Sequence, residues 1–400
     1  MRLTRGWEAG YPCLSSLAER RFSMVDFRGD VKSNRDCLYG DRSKMKKILF
    51  GASALALMVG SASAAEALKL GLGGYYNVYG VYVSQDDGAT EPGANTHNFD
   101  IKRDAEVSVM GSTKLDNGMV VGAQIDLTTV NAISANAANG ESKSNLFMSG
   151  NFGKVVIGEE YAASYLLQVA SPSVDDSFDG INPKFELFNR AANIAPNAMA
   201  MNVDNSAKIS YLSPVMSGFQ AGVSITPDTV GGLTFAGMRN DNATGFQILD
   251  LGMKYSGAAA GTTFDVGVGY SKSDAETAAA AEPSAYNLGL NVGFGAFKVG
   301  AGYVKNDADA ANLDSSAYQL GVTYDMGAYT VGASYFHGEQ EVGVAGTADD
   351  KNARIVVGGT YTYGPGMTFK GSIQHFDLDS ATATDKNAGY AIVLGTNVNF

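Results

Sequence analysis

Read backwards from Phe400 in steps of two, the chain gives Val398, Thr396, Leu394, Ile392 and Tyr390, with small or polar residues such as Asn399, Asn397 and Gly395 between them. Apolar residues recurring at a period of two define a β-strand whose faces meet different surroundings. The same period recurs along the chain. Phe264, Val266, Val268 and Tyr270 interleave with Asp265, Gly267, Gly269 and Ser271, and Tyr318, Leu320, Val322 and Tyr324 with Gln319, Gly321, Thr323 and Asp325. Each apolar set is bracketed by aromatics, which an apolar face crossing a bilayer needs at both interfaces and a buried sandwich core does not. Sixteen such segments are predicted, near 68–83, 98–115, 118–128, 144–151, 153–159, 205–212, 218–226, 245–256, 261–272, 285–294, 296–306, 316–325, 328–338, 352–363, 367–378 and 388–400. The expected fold is all-β, a 16-stranded antiparallel transmembrane β-barrel, since an even count brings both ends of a single-chain barrel to one side.

The amino-terminal part reads differently. Met45-Lys46-Lys47, the apolar run from Ile48 to Val59 and then Gly60-Ser61-Ala62-Ser63-Ala64-Ala65 have the three parts of a secretory signal peptide. We read 45–65 as that signal, 66–400 as the barrel domain, and 1–44 as an upstream extension ahead of the start at Met45. Of 29 Lys and Arg, nine precede Met45 and two are Lys46 and Lys47; of 41 Asp and Glu, six precede Met45. The exported part then carries 18 basic and 35 acidic residues, a net charge of −17. That balance disfavours nucleic acid and favours cations through the long-range field. Both cysteines, Cys13 and Cys37, fall before Met45, so the barrel has neither disulfide nor thiolate chemistry.

Glycine, at 49 of 400 residues against a usual ~7 %, sits largely inside the strand-like segments. It is expected there where a barrel bends or its lumen wall must stay thin. Asp116-Asn117-Gly118, Asn151-Phe152-Gly153, Gly295, Met326-Gly327 and Gly364-Pro365-Gly366 read as tight turns alternating with longer loops. Short turns mark the periplasmic side. The connection 160–204, between the fifth and sixth segments, far exceeds an ordinary linker and is expected to be functional.

Gly150-Asn151-Phe152-Gly153-Lys154-Val155-Val156-Ile157-Gly158 before that loop, and Ile209-Ser210-Tyr211-Leu212-Ser213-Pro214 with Gly218-Phe219-Gln220-Ala221-Gly222-Val223 after it, resemble a general Gram-negative outer-membrane porin. The hairpin from Gly321 to Tyr335 and the terminal Asn397-Val398-Asn399-Phe400 extend the resemblance over essentially the whole exported chain. It implies an inward-folded third external loop forming a constriction, a homotrimer in the outer membrane, and acids on the loop facing bases on the wall. Asp175, Asp176, Asp179 and Glu186 are the candidate acidic side, although the loop lacks the Pro-Glu-Phe-Gly-Gly stretch of some members. Lys102, Lys208, Arg354 and Lys370 fall on lumen-facing registers and are the candidate basic side. Arg103 falls in the opposite register, above the apolar band or at a bulge. Tyr390, Ile392, Leu394, Val398 and Phe400 form the terminal signal read by the barrel-assembly machinery in this family. Implied partners are membrane lipid, lipopolysaccharide and small hydrophilic solutes.

His97, His337 and His375 are widely spaced, with no Ser/His/Asp or metal-ligand spacing around them, so neither catalysis, a metal nor a cofactor is expected. The function these readings imply is a water-filled channel for passive diffusion of ions and small hydrophilic solutes, weakly cation-preferring. The alternatives are a solute-specific channel, with Phe178, Phe185 and Phe188 as a stacking surface, and a plugged structural or adhesive barrel.

Overall fold

The computed structural model describes residues 67–87, 94, 96–130, 140–184, 187, 206–229, 246–275, 277, 281–343, 347–380 and 386–400. The expected leader and upstream segment lie outside these residues. Sixteen strands close into one antiparallel barrel, each hydrogen-bonded to its neighbours in sequence. They are β1 (Lys69–Gln85), β2 (Phe99–Lys114), β3 (Val120–Val130), β4 (Gly140–Gly150), β5 (Gly153–Glu159), β6 (Ala207–Leu212), β7 (Phe219–Thr226), β8 (Phe246–Ala259), β9 (Thr262–Ala275), β10 (Ser284–Phe294), β11 (Phe297–Asp307), β12 (Ser315–Met326), β13 (Tyr329–Gln340), β14 (Asp350–Gly364), β15 (Met367–Asp379) and β16 (Asn387–Asn399). Each expected segment corresponds to one strand. Several strands extend past their apolar stretch, as β4 does through Gly140–Lys143, because the ladder is made by backbone groups and continues where side chains no longer alternate.

The barrel closes where β1 meets β16, in register from Tyr75 opposite Asn399 to Gln85 opposite Gly389. Below that run Gly74 and Phe400 exchange both backbone hydrogen bonds, at 3.0 and 3.1 Å. Two-residue turns at Gly295 and Gly327 have φ of 58° and 73°, a left-handed conformation that glycine adopts without strain.

The two registers of the wall have opposite chemistry. Leu72, Tyr76 and Tyr82 of β1, Leu288 and Leu290 of β10, and Ile392 and Leu394 of β16 are exposed on the outside. Asn77, Ser224, Asp250, Ser271, Asn287, Gln319 and Asn352, in the alternate register, are buried on the inside. This inverts a water-soluble sandwich and fits a hydrocarbon exterior around a polar lumen. Outward aromatics form two belts. Tyr82, Tyr270, Tyr286, Tyr318 and Tyr390 lie toward the long-loop side, and Phe219, Tyr255, Phe297, Tyr324, Tyr329, Tyr361 and Phe369 toward the short turns. Neighbouring rings of the second belt touch across strands, with centroids 4.6 Å apart for Phe297–Tyr324 and 4.7 Å for Tyr329–Tyr361.

The terminal aromatic is half exposed and lies against Gly74, where a Cβ would come within 3.1 Å of its ring. Phe400→Ala is therefore expected to destabilise the barrel by about 1–2 kcal/mol, below the ~3–5 typical of a fully buried phenylalanine. Urea unfolding in lipid vesicles measures this; an unchanged midpoint would show that the closing seam does not depend on the ring.

Candidate functional site

The connection between β5 and β6 is described as far as Lys184, with Leu187 beyond. It starts with one short helical turn, α1 (Ala163–Leu166), and later forms a two-residue ribbon pairing Phe178–Asp179 with Asn182–Pro183. Between them it follows the inner wall, touching successive strands in order. The Ala163 N–H donates to Ser224 of β7 at 2.9 Å, and Ser164 Oγ to Asp250 of β8 at 2.7 Å. Asn287 and Asn291 of β10 donate to the carbonyls of Ser164 and Ala170 at 3.2 and 2.9 Å, and Ser334 of β13 donates to the Pro172 carbonyl at 3.2 Å. All these wall residues are in the inward register, and the apolar outer register remains bare.

Glycines make this track possible. A Cβ on Gly252 would meet the Ala163 carbonyl oxygen at 2.3 Å, one on Gly289 the Val169 carbonyl oxygen at 1.6 Å, and one on Gly321 the Pro172 carbonyl oxygen at 2.1 Å. The thin lumen wall expected from composition is thus a groove in which the loop backbone lies against strand backbone.

Farther on, the loop is held by charge. Asp176 accepts hydrogen bonds from Lys370 Nζ of β15 at 2.5 Å and from the Tyr79 hydroxyl of β1. Burial raises the Asp176 carboxyl, and Lys370, Tyr79 and Lys184 together outweigh it, holding the group below the ordinary carboxylate range. Gln374, four residues after Lys370 on the same strand, donates to Asp175 at 3.3 Å and to Ser177 Oγ at 2.6 Å. Asp179 accepts from the Tyr165 hydroxyl within the loop. Burial and the Asp179 carboxylate push the Tyr165 hydroxyl up, and burial with the same carboxylate pushes Tyr161 up to about 12. Glu186, Phe185 and Phe188 lie outside the described residues. Phe178 packs on Phe336, with ring centroids 6.0 Å apart, and so is half buried rather than presented as a stacking surface.

Of the four wall bases singled out from register, Lys370 meets a loop acid among the described residues. Lys102 pairs with Asp100 on its own strand, Lys208 is buried donating to the carbonyls of Glu160 and Ser206, and Arg354 donates to Asn352 at 3.0 Å. The loop itself supplies a base the sequence reading did not assign. Lys184 pairs with Asp104 of β2 at 2.7 Å, reversing the acid-on-loop, base-on-wall arrangement. Burial lowers the Lys184 ammonium, and Asp104 with Asp176 and Asp179 outweighs this, holding it above its ordinary value. Near the loop's start Lys143 of β4 reaches Glu160 at 3.3 Å and lies over the Tyr161 ring at 4.3 Å. Tyr79 and Gln374 were also missed, although both are polar residues in the inward register. Arg103 continues the regular β1–β2 pairing, opposite Val78, and the bulge lies two residues farther, at Ala105/Glu106.

A closed barrel with an apolar exterior and a polar, charge-lined interior defines a transmembrane channel protein. A profile of the Gram-negative porin family matches residues 51–381, and the chain belongs to that family of outer-membrane channels rather than to an enzyme class. Curated relatives include an uncharacterized protein of Rickettsia prowazekii (strain Madrid E), 28% identical over 138 residues, covering 29% of this chain and 31% of the relative. One of Rickettsia typhi (strain Wilmington) is 27% identical over 218 residues, covering 46% of this chain and 48% of the relative. The matches thus span about a third to a half of those relatives' length. Among solved structures, an anion-selective porin from Comamonas acidovorans is 15% identical with a TM-score of 0.59, covering 83% of this chain and all of that one. The trimer form of OmpT from Vibrio cholerae is 12% identical with a TM-score of 0.56, covering 84% of this chain and all of that one. At these identities the likeness is one of fold.

The contact at Gly289 supplies a test of the loop track. Gly289→Val is expected to displace the loop from β10 while leaving the ladder intact, changing single-channel conductance at least twofold. Unchanged conductance in a folded variant would show that the loop's seat does not govern the lumen. A second expectation follows from the lowered Asp176 carboxyl. A depressed folded-state pKa stabilises the contact above the unfolded value and loses it only as pH falls through the folded one. Asp176→Asn is therefore expected to loosen the loop at neutral pH, whereas acidification of the native chain loosens it only below the ordinary carboxylate range. Protease cleavage within 160–184 across pH reads both.

Proposed function

We propose that the chain conducts small hydrophilic solutes and ions by passive diffusion, with a preference for cations, and that the loop along the inner wall forms its constriction. The observation that carries the preference is how the lumen acids are held. Asp175, Asp179, Glu106 and Asp126 have neutral hydrogen-bond donors: Gln374, Tyr165, Ser142 and Gln124 respectively. Among the described residues their negative charge is solvated by dipoles rather than cancelled by a contacting base. Asp176 and Asp104, by contrast, each contact an ammonium. A lumen in which carboxylates outnumber the bases that meet them concentrates cations. The anion-selective relative in fold differs in selectivity, which rests on lining charge rather than on the barrel.

Replacing Asp175, Asp176 and Asp179 together by Asn is expected to move the zero-current potential in a salt gradient toward zero or anion preference. The triple variant also frees Lys370 from its partner. An unchanged potential would remove the loop acids from any role in selectivity.

The reading includes a homotrimer in the outer membrane. The supporting feature is local. β5, β6 and β7 have 7, 6 and 8 residues, fewer than the ~9–11 a strand needs to cross the hydrocarbon. This sector also carries Ile157, Ile209 and Ile225 where other strands carry outer-belt tyrosines. Such a low, aliphatic wall is suited to a second copy of the chain rather than to lipid. Ile209→Lys is expected to convert the oligomer to monomer on chemical crosslinking; an undisturbed oligomer would move the interface elsewhere. Tyr390, Ile392, Leu394 and Val398 share the outward face of β16 and Phe400 follows one residue beyond its end, an arrangement that supports reading them as the terminal signal for the assembly machinery.

A further inference from the structure

Arg103 stands on β2 two outward positions inside Phe99, with Ile101 between them. Its pairing with Val78 fixes it on the apolar outer register, where it is exposed. Among the described residues its side chain forms no ion pair or hydrogen bond. Other outward cations differ in both respects. Lys272, Lys305 and Lys351 stand at the outer strand ends, and each has an acidic partner: Glu282 at 3.5 Å, Asp314 at 3.5 Å and Glu339 at 3.7 Å. An unpaired guanidinium within the apolar band is strongly unfavourable unless an anion meets it.

A groove of about 490 Å³ crosses the same outer face, lined by Val78, Gly80, Phe99, Ile101, Phe369 and Leu394 among others. Gly80 forms its floor. It pairs with Ile101 on one side and Leu394 on the other, so two large exposed side chains flank a residue that has none. Val78 continues the floor between Arg103 and Thr396, and Phe369 pairs with Thr396 beyond. Tyr82 and Tyr390 border this sector on the long-loop side and Tyr76 and Phe400 on the short-turn side, so unlike β5–β7 it carries both aromatic belts of a lipid-facing wall.

We propose that the groove and Arg103 form a binding site for a phosphorylated membrane lipid, its hydrocarbon chain lying over Gly80 and Val78 and its phosphate held by the Arg103 guanidinium. The groove is apolar and open to the bilayer, which hydrocarbon fills. A guanidinium offers paired donors that match phosphate, and its long stem lets the charge rise toward the headgroup level. A second copy of the chain suits the site less well. This sector carries aromatic belts on both sides, as a wall facing lipid does, whereas the low wall of β5–β7 lacks the outer one.

The test is native mass spectrometry of the full barrel in non-ionic detergent, titrated separately with phosphatidylglycerol, lipid A and uncharged diacylglycerol. The two phosphorylated lipids are each expected to add one retained molecule per chain, and diacylglycerol none. Arg103→Gln should weaken retention at least tenfold. Gly80→Leu should do likewise with the guanidinium intact, since a Cβ there makes only ordinary contacts, with the Phe99 ring at 3.6 Å and the Leu394 carbonyl oxygen at 3.9 Å. Inorganic phosphate should not compete, which separates a lipid site from a free-anion site; heat-dependent gel migration confirms that each variant is folded. Equal retention by Arg103→Gln, equal binding of diacylglycerol, or oligomer dissociation by Arg103→Gln with lipid retention unchanged would each overturn the proposal.

Discussion

Hydrocarbon offers no partner to a backbone amide, and that single fact dictates the rest of this molecule. Every N–H and C=O on the wall must be paired within the protein, which a β-sheet achieves only by closing on itself. The seam of β1 and β16, extended by the reciprocal bonds of Gly74 and Phe400, completes the circuit. Once the ladder supplies cohesion, side chains are released from building a central core. The outer register can be uniformly apolar and the inner one polar, and short turns suffice at one end because antiparallel neighbours begin where their predecessors stop. The chain's near-neutral mean hydropathy, −0.06, reflects this division: each strand contributes to both solvents.

The interior solves a different packing problem. A loop placed inside a barrel carries its own backbone polar groups, and these also need partners. Here the wall provides them through Ser224, Asn287, Asn291 and Ser334, while Gly252, Gly289 and Gly321 let the two backbones approach. Polar anchor and absent side chain are complementary devices. The anchors set where along the wall each loop residue sits, and the glycines set how closely. A barrel with alanine at those positions would hold the loop farther into the lumen, so lumen glycine content is tied directly to channel width.

The fold was legible because it depends on local alternation. The pattern at Phe264–Ser271 or Tyr318–Asp325 states which residue faces lipid without reference to any other strand, and the order of strands then follows from short turns alone. The loop's importance was legible from its length. Its partners were not. Asp176 and Lys370 are 194 residues apart and meet only after the barrel has closed, and nothing in the spacing of either announces the other. Register turned Lys102, Lys208 and Arg354 inward but could not tell which neighbours each would find; among the described residues these include Asp100, the Glu160 and Ser206 carbonyls, and Asn352, all near them on the wall or at the loop's base. Lys184 was hidden for the opposite reason. A lysine in an acidic loop reads as solubilising until Asp104 is seen opposite it.

These pairings alter how charge acts in the lumen. An acid and a base in contact form a dipole whose field decays within a few ångströms and is screened further by salt. Asp176 with Lys370, and Lys184 with Asp104, therefore anchor the loop more than they polarise the passage. On the reading proposed above, the field that a passing ion meets comes largely from carboxylates whose partners are neutral, which among the described residues are distributed between the loop, at Asp175 and Asp179, and the wall, at Glu106 and Asp126. Such a distribution favours a broad negative lining over a sharp acid-to-base gradient across the opening. On that proposed reading electrostatics has two separate roles: contacting pairs fix geometry, and dipole-solvated acids set the potential.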